Sequence, residues 1–356
     1  MKMKTTLTTL CCAVLACTAF ATTANAAKIG VSMPTQSLQR WNQDGRNLEK
    51  QLQQAGHSVE LYYAGDNDIP TQVSQIENLI SANCDVLVVA PIDGGSLTQA
   101  LQGAKDKGIP VVSYDRLIMN SDAISYYATF DNYKVGQIQG NYLVDALKLK
   151  GAGTEPKNIE LFTGSIDDNN VNFFFGGAID VLKPYIDSGK LVVKSGQVKK
   201  EQVATLNWST EEAQKRMENL ISSAGYGPDG TRLDAVYSSN DSVANGITNA
   251  LVSAGYTAEN FPIVTGQDCD KPSVKNMKRG LQTMSIFKDT RVLADKVVEM
   301  VNAIVNKTEV PVNDTKTYNN GTGVIPSFLC TPIVVTKDNL KEALVDSGYY
   351  KEKEIK

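Results

Sequence analysis

The stretch GIPVVSYDRLIMN, Gly108 to Asn120, reads as a buried strand that breaks abruptly into Tyr114, Asp115 and Arg116. A carboxylate beside a guanidinium offers acceptors and donors together, the chemistry that holds a neutral polar ligand by several hydrogen bonds. Polar residues also sit at the ends of other apolar runs: Asp93, the pair Asn240 and Asp241, and the pair Gln267 and Asp268. One charged strand end is a solvated loop; a set of them suggests a cleft.

Catalysis has less support. The single histidine, His57, falls in a turn between a helix and a strand and reads as a solvated loop residue. That removes Ser-His-Asp, Cys-His and His-rich metal arrangements. Neither G-x-G-x-x-G after a strand nor G-x-x-x-x-G-K-[ST] occurs, so nucleotide phosphates lack their usual cradle. The segments SIDDNN (Ser165 to Asn170) and GDND (Gly65 to Asp68) have a calcium-like composition. Neither continues into the glycine and bidentate Glu of a calcium loop, and no metal or other cofactor is expected. Paired carboxylates are plentiful, so a carbohydrate-active enzyme stays open as the alternative to a binding protein.

The elements that must position these residues alternate regularly. KIGVSMP, SVELYYA, DVLVVAP and IPVVSYD read as strands, and the segments from Trp41 to Ala55, Ile69 to Ala82 and Ser96 to Gly108 as helices. Continuously apolar strands mark a parallel sheet covered on both faces, the doubly wound α/β class. The stretch CDVLVVAPIDGGSLTQAL leading to GIPVVSYDR is echoed by LDAVYSSNDSVANGITNAL leading to NFPIVTGQDCD. Two similar α/β lobes in one chain fit this echo. In such sheets ligands bind beyond the carboxyl ends of the strands, where the polar residues fall.

At the N-terminus Lys2 and Lys4 precede an apolar run from Leu10 to Phe20, and Ala24-Asn25-Ala26 supplies an A-x-A cleavage pattern. This predicts a signal peptide over 1–26, with export to the periplasm. Its apolar run is shorter than the roughly 20 residues of a membrane span. Val14-Leu15-Ala16-Cys17 gives an alternative, a lipid anchor at Cys17, with Leu15 an imperfect fit. Of 35 basic and 39 acidic residues only Lys2 and Lys4 lie in that leader, leaving the rest of the chain at a formal charge of −6. An acidic exported chain is a poor partner for nucleic acid. Cys84, Cys269 and Cys330 remain after the leader and read as small core residues; a Cys269–Cys330 bridge is the other reading.

The polar set suits a sugar. A pyranose presents an apolar C–H face, which a flat aromatic ring can cover, and hydroxyls that need carboxylates, amides, Arg and Lys. Trp41 (QRWNQD) and Trp208 (TLNWST), the two tryptophans, both lie in polar contexts rather than in apolar segments. Packing at a surface or interface is the competing reading for each.

At this point the chain resembles a family. QRWNQDG, SQIENLI, SYDRLI, YYATFDNYKVG, GSIDDNN, VLKPYIDSGKL, SSNDS, TGQD and VNDTKTYNNG are similar to the type I periplasmic sugar-binding proteins of ABC transporters. The likeness is to the ribose, galactose and xylose group, and within it to multiple-aldose-binding receptors and xylose-binding proteins. The resemblance implies two lobes joined by three crossings, near Asp131, Lys288 and Pro326. The first lobe would hold 27–131 plus 289–326, and the second 132–288 plus 327–356. It also implies that Arg40, Trp41, Asp115 and Arg116 meet the sugar from the first lobe, with Asp115 and Arg116 restraining one another. Asn170, Trp208, Asn240 and Asp268 would meet it from the second, Trp208 as the stacking ring, and Lys288 at a crossing. Where xylose-binding relatives carry an Arg beyond the DNN motif, this chain has Phe175, which leaves sugar choice open among galactose, glucose, arabinose and xylose. The implied protein is a monomer and not an enzyme. Its partners would be a monosaccharide, an ABC permease and, for the sensors that share the fold, a chemoreceptor or sensor kinase.

Overall fold

The structure is a computed structural model that describes residues 25–151, 153 and 155–356. Cys11, Cys12, Cys17 and most of the expected leader lie outside the described residues. Strands β1 (Lys28–Met33), β2 (Ser58–Tyr63), β3 (Val86–Val89), β4 (Val111–Tyr114) and β5 (Ile124–Phe130) pair in parallel, Ile29 standing opposite both Val59 and Val86. Every residue of β3 and β4 is buried, because helices cover both faces of the sheet. Edge strand β2 is half exposed and carries Glu60 and two tyrosines.

A second parallel sheet follows: β6 (Lys157–Phe162), β7 (Leu191–Val192), β8 (Ala235–Ser238) and β9 (Ile263–Val264), in the order β7-β6-β8-β9. A bridge between Gln267 and Ile286 attaches β10 (Met284–Phe287). The two sheets thus repeat one order, second-first-third-fourth-fifth, the doubly wound arrangement read from the sequence echo. Each reverses between its first and third strands, which opens a crevice at the carboxyl ends.

Between the lobes the chain crosses after β5 and after β10, and each crossing is followed at once by a capped helix. Asp131 accepts from Lys134 N at 3.0 Å at the start of helix Asn132–Ala146. Asp289 accepts from Arg291 N at 2.9 Å at the start of Thr290–Asn306, which packs on Gln39–Gln54. The third crossing corrects the sequence expectation. Strand β11 (Ser327–Cys330) pairs in parallel with β5 in the first sheet, Ser327 opposite Tyr127. Only β12 (Ile333–Thr336), antiparallel to β10, belongs with the second. The crossing therefore lies between Cys330 and Ile333, not near Pro326. Pro326 looks like a break because it lacks an N–H, but its carbonyl opens the ladder, accepting from Tyr127 N at 3.0 Å.

One local reading is also corrected. His57 is not a solvated loop residue: it is 5% exposed, its Nδ1 accepts from Ala27 N at 3.3 Å and its Nε2 meets Asn302 Oδ1 at 2.8 Å. Helix Thr290–Asn306 covers that turn, from a place in the sequence that local patterning does not reach. Cys84, Cys269 and Cys330 are all free and buried, so the Cys269–Cys330 bridge is not formed.

Candidate functional site

The loop after β1 leads into helix Gln39–Gln54, whose first turn carries Arg40 and Trp41. Across from it, β4 ends at Asp115, held in a left-handed conformation at φ 58°. That backbone is pinned: Asp115 N donates to Ala128 O at 2.7 Å, and its carbonyl accepts from Tyr127 Oη (2.7 Å), Thr129 Oγ1 (2.9 Å) and Asn170 Nδ2 (2.8 Å). A non-glycine residue at positive φ costs energy that the surroundings must repay. Here the turn swings the carboxylate out of the strand line and toward the other lobe.

The second lobe does the same at Asp268, with φ 96°, and at Trp208, with φ 56° after Asn207 at 54°. Ser165 Oγ accepts from Asn207 N at 3.1 Å and braces that turn. Gly164 makes room for the indole, since a Cβ there would lie 2.1 Å from the Trp208 ring. Asn170 opens helix Asn170–Asp187. Asn240 caps helix Asp241–Ser253, its Oδ1 accepting from Val243 N at 3.0 Å. Among the described residues its Nδ2 has no hydrogen-bond partner, and the residue lines the cavity.

All nine residues anticipated from the sequence, Arg40, Trp41, Asp115, Arg116, Asn170, Trp208, Asn240, Asp268 and Lys288, line one cavity between the lobes. Their pairing differs from expectation. Asp115 and Arg116 do not restrain one another. Arg40 is the hub, bonding Asp44 through Nε at 2.9 Å, Asp268 through Nη1 at 3.1 Å, and Asp115 through Nη2. Lys288 Nζ lies 3.1 Å from Asp268 and 3.9 Å from Asp115. Arg116 points the other way, to Asp168 at 2.9 Å and the Ile92 carbonyl at 3.0 Å, with its guanidinium 5.1 Å from the Trp41 ring centre. Adjacent residues leave a turn in different directions, so neighbours in sequence need not be neighbours at the site.

Electrostatics follow from this web. Burial pushes the Asp115 carboxyl up, but Arg40, Lys288 and Arg116 together outweigh it and hold the group below its ordinary value. Asp44 has less help: burial raises it to about 6 against the pull of Arg40. Burial likewise raises Asp168 against Arg116, and raises Asp270 with the neighbouring charge of Asp268 adding to it.

Several participants escaped the sequence reading of the site. Asp44 sits one turn beyond Arg40, an i,i+4 spacing that could have flagged it. Asp168, noticed only as calcium-like, anchors Arg116. Phe174, one turn beyond Asn170, faces the cavity. Phe175, singled out for standing where relatives carry an Arg, instead packs on the far side of the helix, 6.5 Å ring to ring from Tyr237. Asp270 and Gln267 complete the floor, each with one buried side-chain oxygen that no protein group satisfies; the Trp208 Nε1 is unsatisfied too.

Residues 29–309 match the family described as the periplasmic binding protein domain. The chain belongs to that family. This binding protein is 52% identical over 330 residues to the multiple sugar-binding periplasmic receptor of Rhizobium radiobacter, covering 92% of both chains. It is 38% identical over 355 residues to the D-xylose-binding periplasmic protein of Escherichia coli K12, covering all of both. Among solved structures, an ABC transporter solute binding protein of Clostridium phytofermentans with bound β-D-glucose superposes with a TM-score of 0.89. The two share 60% identity, over 92% of this chain and all of that one. The binding protein accordingly has the two-lobed type I fold.

Proposed function

We propose that the chain captures a monosaccharide aldose in the interlobe cavity and delivers it to an ABC sugar importer. The observation that carries this reading is the set of unsatisfied polar atoms lining one cleft. The Trp208 Nε1 is a donor; Gln267 Oε1 and Asp270 Oδ1 are acceptors. Buried polar atoms in native proteins are nearly always partnered, and a ligand that both donates and accepts would satisfy these three. A hydroxyl-rich neutral molecule does both. An anion does not fit, because Asp44, Asp115, Asp168 and Asp268 already outnumber Arg40, Arg116 and Lys288.

The nine lining residues, with Phe174, Gln267 and Asp270, form the binding set. Trp41, Phe174 and Trp208 supply apolar walls for the C–H faces, and the carboxylates and amides take the hydroxyls. Asp115 and Asp268 each keep an oxygen that no protein group occupies, so they can accept from sugar while bonded to Arg40. Lobes of 27–131 with 289–330 and of 132–288 with 331–356 close around the ligand and present a joint surface to the permease. A chemoreceptor or sensor kinase is a second reader of that closed surface. The relatives are periplasmic proteins, and export through the leader, cleaved near Ala26, brings this chain to the same compartment as a monomer without enzymatic activity. Among the described residues no helix is long and apolar enough to cross a membrane.

The test is calorimetry of the mature protein against glucose, galactose, arabinose and xylose, with glucose first because the Clostridium relative holds it. At least one should bind with about micromolar affinity, roughly 8 kcal/mol, raise the melting temperature by mass action, and be recovered unaltered. EDTA should change neither quantity. Silence across the panel overturns the proposal, and turnover of aryl glycosides would assign the chain to the carbohydrate-active enzymes instead.

A further inference from the structure

The last residues of the chain reach back toward the cleft. Leu340, Leu344, Tyr350 and Ile355 pack with Cys269, Val274, Met277 and Phe287, so this tail is part of the second-lobe core. Yet the Tyr350 hydroxyl is bonded to both lobes. It donates to the Cys269 carbonyl at 3.0 Å and accepts from Gln39 Nε2 at 2.7 Å and Gln43 Nε2 at 3.2 Å. The two glutamines lie one turn apart on helix Gln39–Gln54 of the first lobe. Gln39 Oε1 in turn accepts from Lys271 N of the second lobe at 3.2 Å.

The placement matters because of what stands next to each partner. Gln39 precedes Arg40, and Cys269 follows Asp268; Arg40 to Asp268 is one of the ion pairs that join the lobes across the cavity, Arg116 to Asp168 being another. Neither glutamine nor Tyr350 lines that cavity. A hydroxyl has one proton and two lone pairs, and Tyr350 uses all of them at 4% exposure.

We propose that Tyr350, with Gln39 and Gln43, is a positioning latch that holds the helix bearing Arg40 and Trp41 against the loop bearing Asp268, raising ligand affinity without touching the ligand. When the lobes part, water reaches the glutamine amides and the Cys269 carbonyl and replaces the hydroxyl. Loss of that hydroxyl therefore penalises the closed form more than the open one and shifts the population toward open.

For its affinity arm the latch rests on the aldose-binding reading; for its second arm it does not. Tyr350→Phe removes one oxygen and keeps the ring. Binding of β-D-glucose should weaken about five- to fiftyfold, through faster dissociation rather than slower association, with ligand-free stability falling by much less than the affinity loss. Gln43→Leu should act in the same direction, and the double variant should lose less than the two single losses combined. The sugar-free arm uses the two tryptophans, Trp41 and Trp208, which both line the cavity. In ligand-free Tyr350→Phe their emission should shift to the red and become more open to acrylamide quenching. Should wild type bind no aldose, the functional reading fails while this second arm still decides the latch. Unchanged affinity and emission, or a ligand-free melting loss equivalent to the affinity loss, would make Tyr350 ordinary core and overturn the proposal.

Discussion

Trp208→Ala should lower both the ligand-free melting temperature and the affinity for sugar. The indole is 4% exposed, meets Phe174 edge-on at 6.1 Å, and joins Phe162, Val171 and Met217 in the second-lobe core while also lining the cavity. Removing a buried aromatic costs about 3–5 kcal/mol of stability, and the stacking face and the Nε1 donor go with it. Sequence context suggested that Trp208 was either a site residue or a packing residue, and the structure places it in the second-lobe core and on the cavity wall at once. Gly164→Ala separates the two roles. It deletes nothing but drives a Cβ to 2.1 Å from the ring, so the ring must move. Its affinity should fall in calorimetry even where scanning calorimetry shows that most stability is kept. If Trp208→Ala binds sugar as wild type does once its melting loss is accommodated, the ring belongs to the core alone.

What sequence could and could not convey divides along physical lines. Strands β1, β3 and β4 were legible because burial on both faces leaves a continuous apolar run, and the lobe repeat was legible because both lobes run the same strand order. The residues that line the cavity were legible as types at strand ends, and more firmly from the family resemblance. Their partners were not. The Arg40–Asp268 pair joins residues 228 positions apart, and the Arg40–Asp115 pair residues 75 apart; no local period encodes either. Asp115 and Arg116 looked like mates only because they are adjacent. A left-handed turn at Asp115 parts them, and nothing in its residue type announces that, since Asp adopts both hands of backbone. His57 misled for the same reason: its partner Asn302, on the helix that buries it, lies 245 residues later. Phe174 and Phe175 differ by 100° around a helix, so identical chemistry in adjacent positions faces cavity and core respectively.

Arg40→Met should be the most damaging single change, with a pH signature that tells why. The guanidinium serves Asp44, Asp115 and Asp268 at once, two carboxylates of its own lobe and one of the other. Lys288 remains beside Asp268 and, at 3.9 Å, near Asp115. Asp44, fully buried, keeps only the Tyr114 hydroxyl. Stranding a buried charge costs about 3–5 kcal/mol, and closure additionally loses one of the ion pairs that span the cavity. Affinity should fall at least about a hundredfold. The sign of the pH effect follows from Asp44, whose carboxyl burial already raises to about 6 with Arg40 in place; without Arg40 it rises further. A carboxyl whose folded value exceeds its unfolded one stabilises fully below the unfolded value, near 4, and that contribution is lost as pH climbs through the folded value. The melting deficit of Arg40→Met relative to wild type should therefore be small near pH 5 and large near pH 8. Arg40→Lys, which keeps a charge but not the three-way fork, should fall between the two proteins at pH 8. A deficit of equal size at both pH values would mean that Arg40 stabilises by packing its stem against Trp41 and not by neutralising the carboxylates around it.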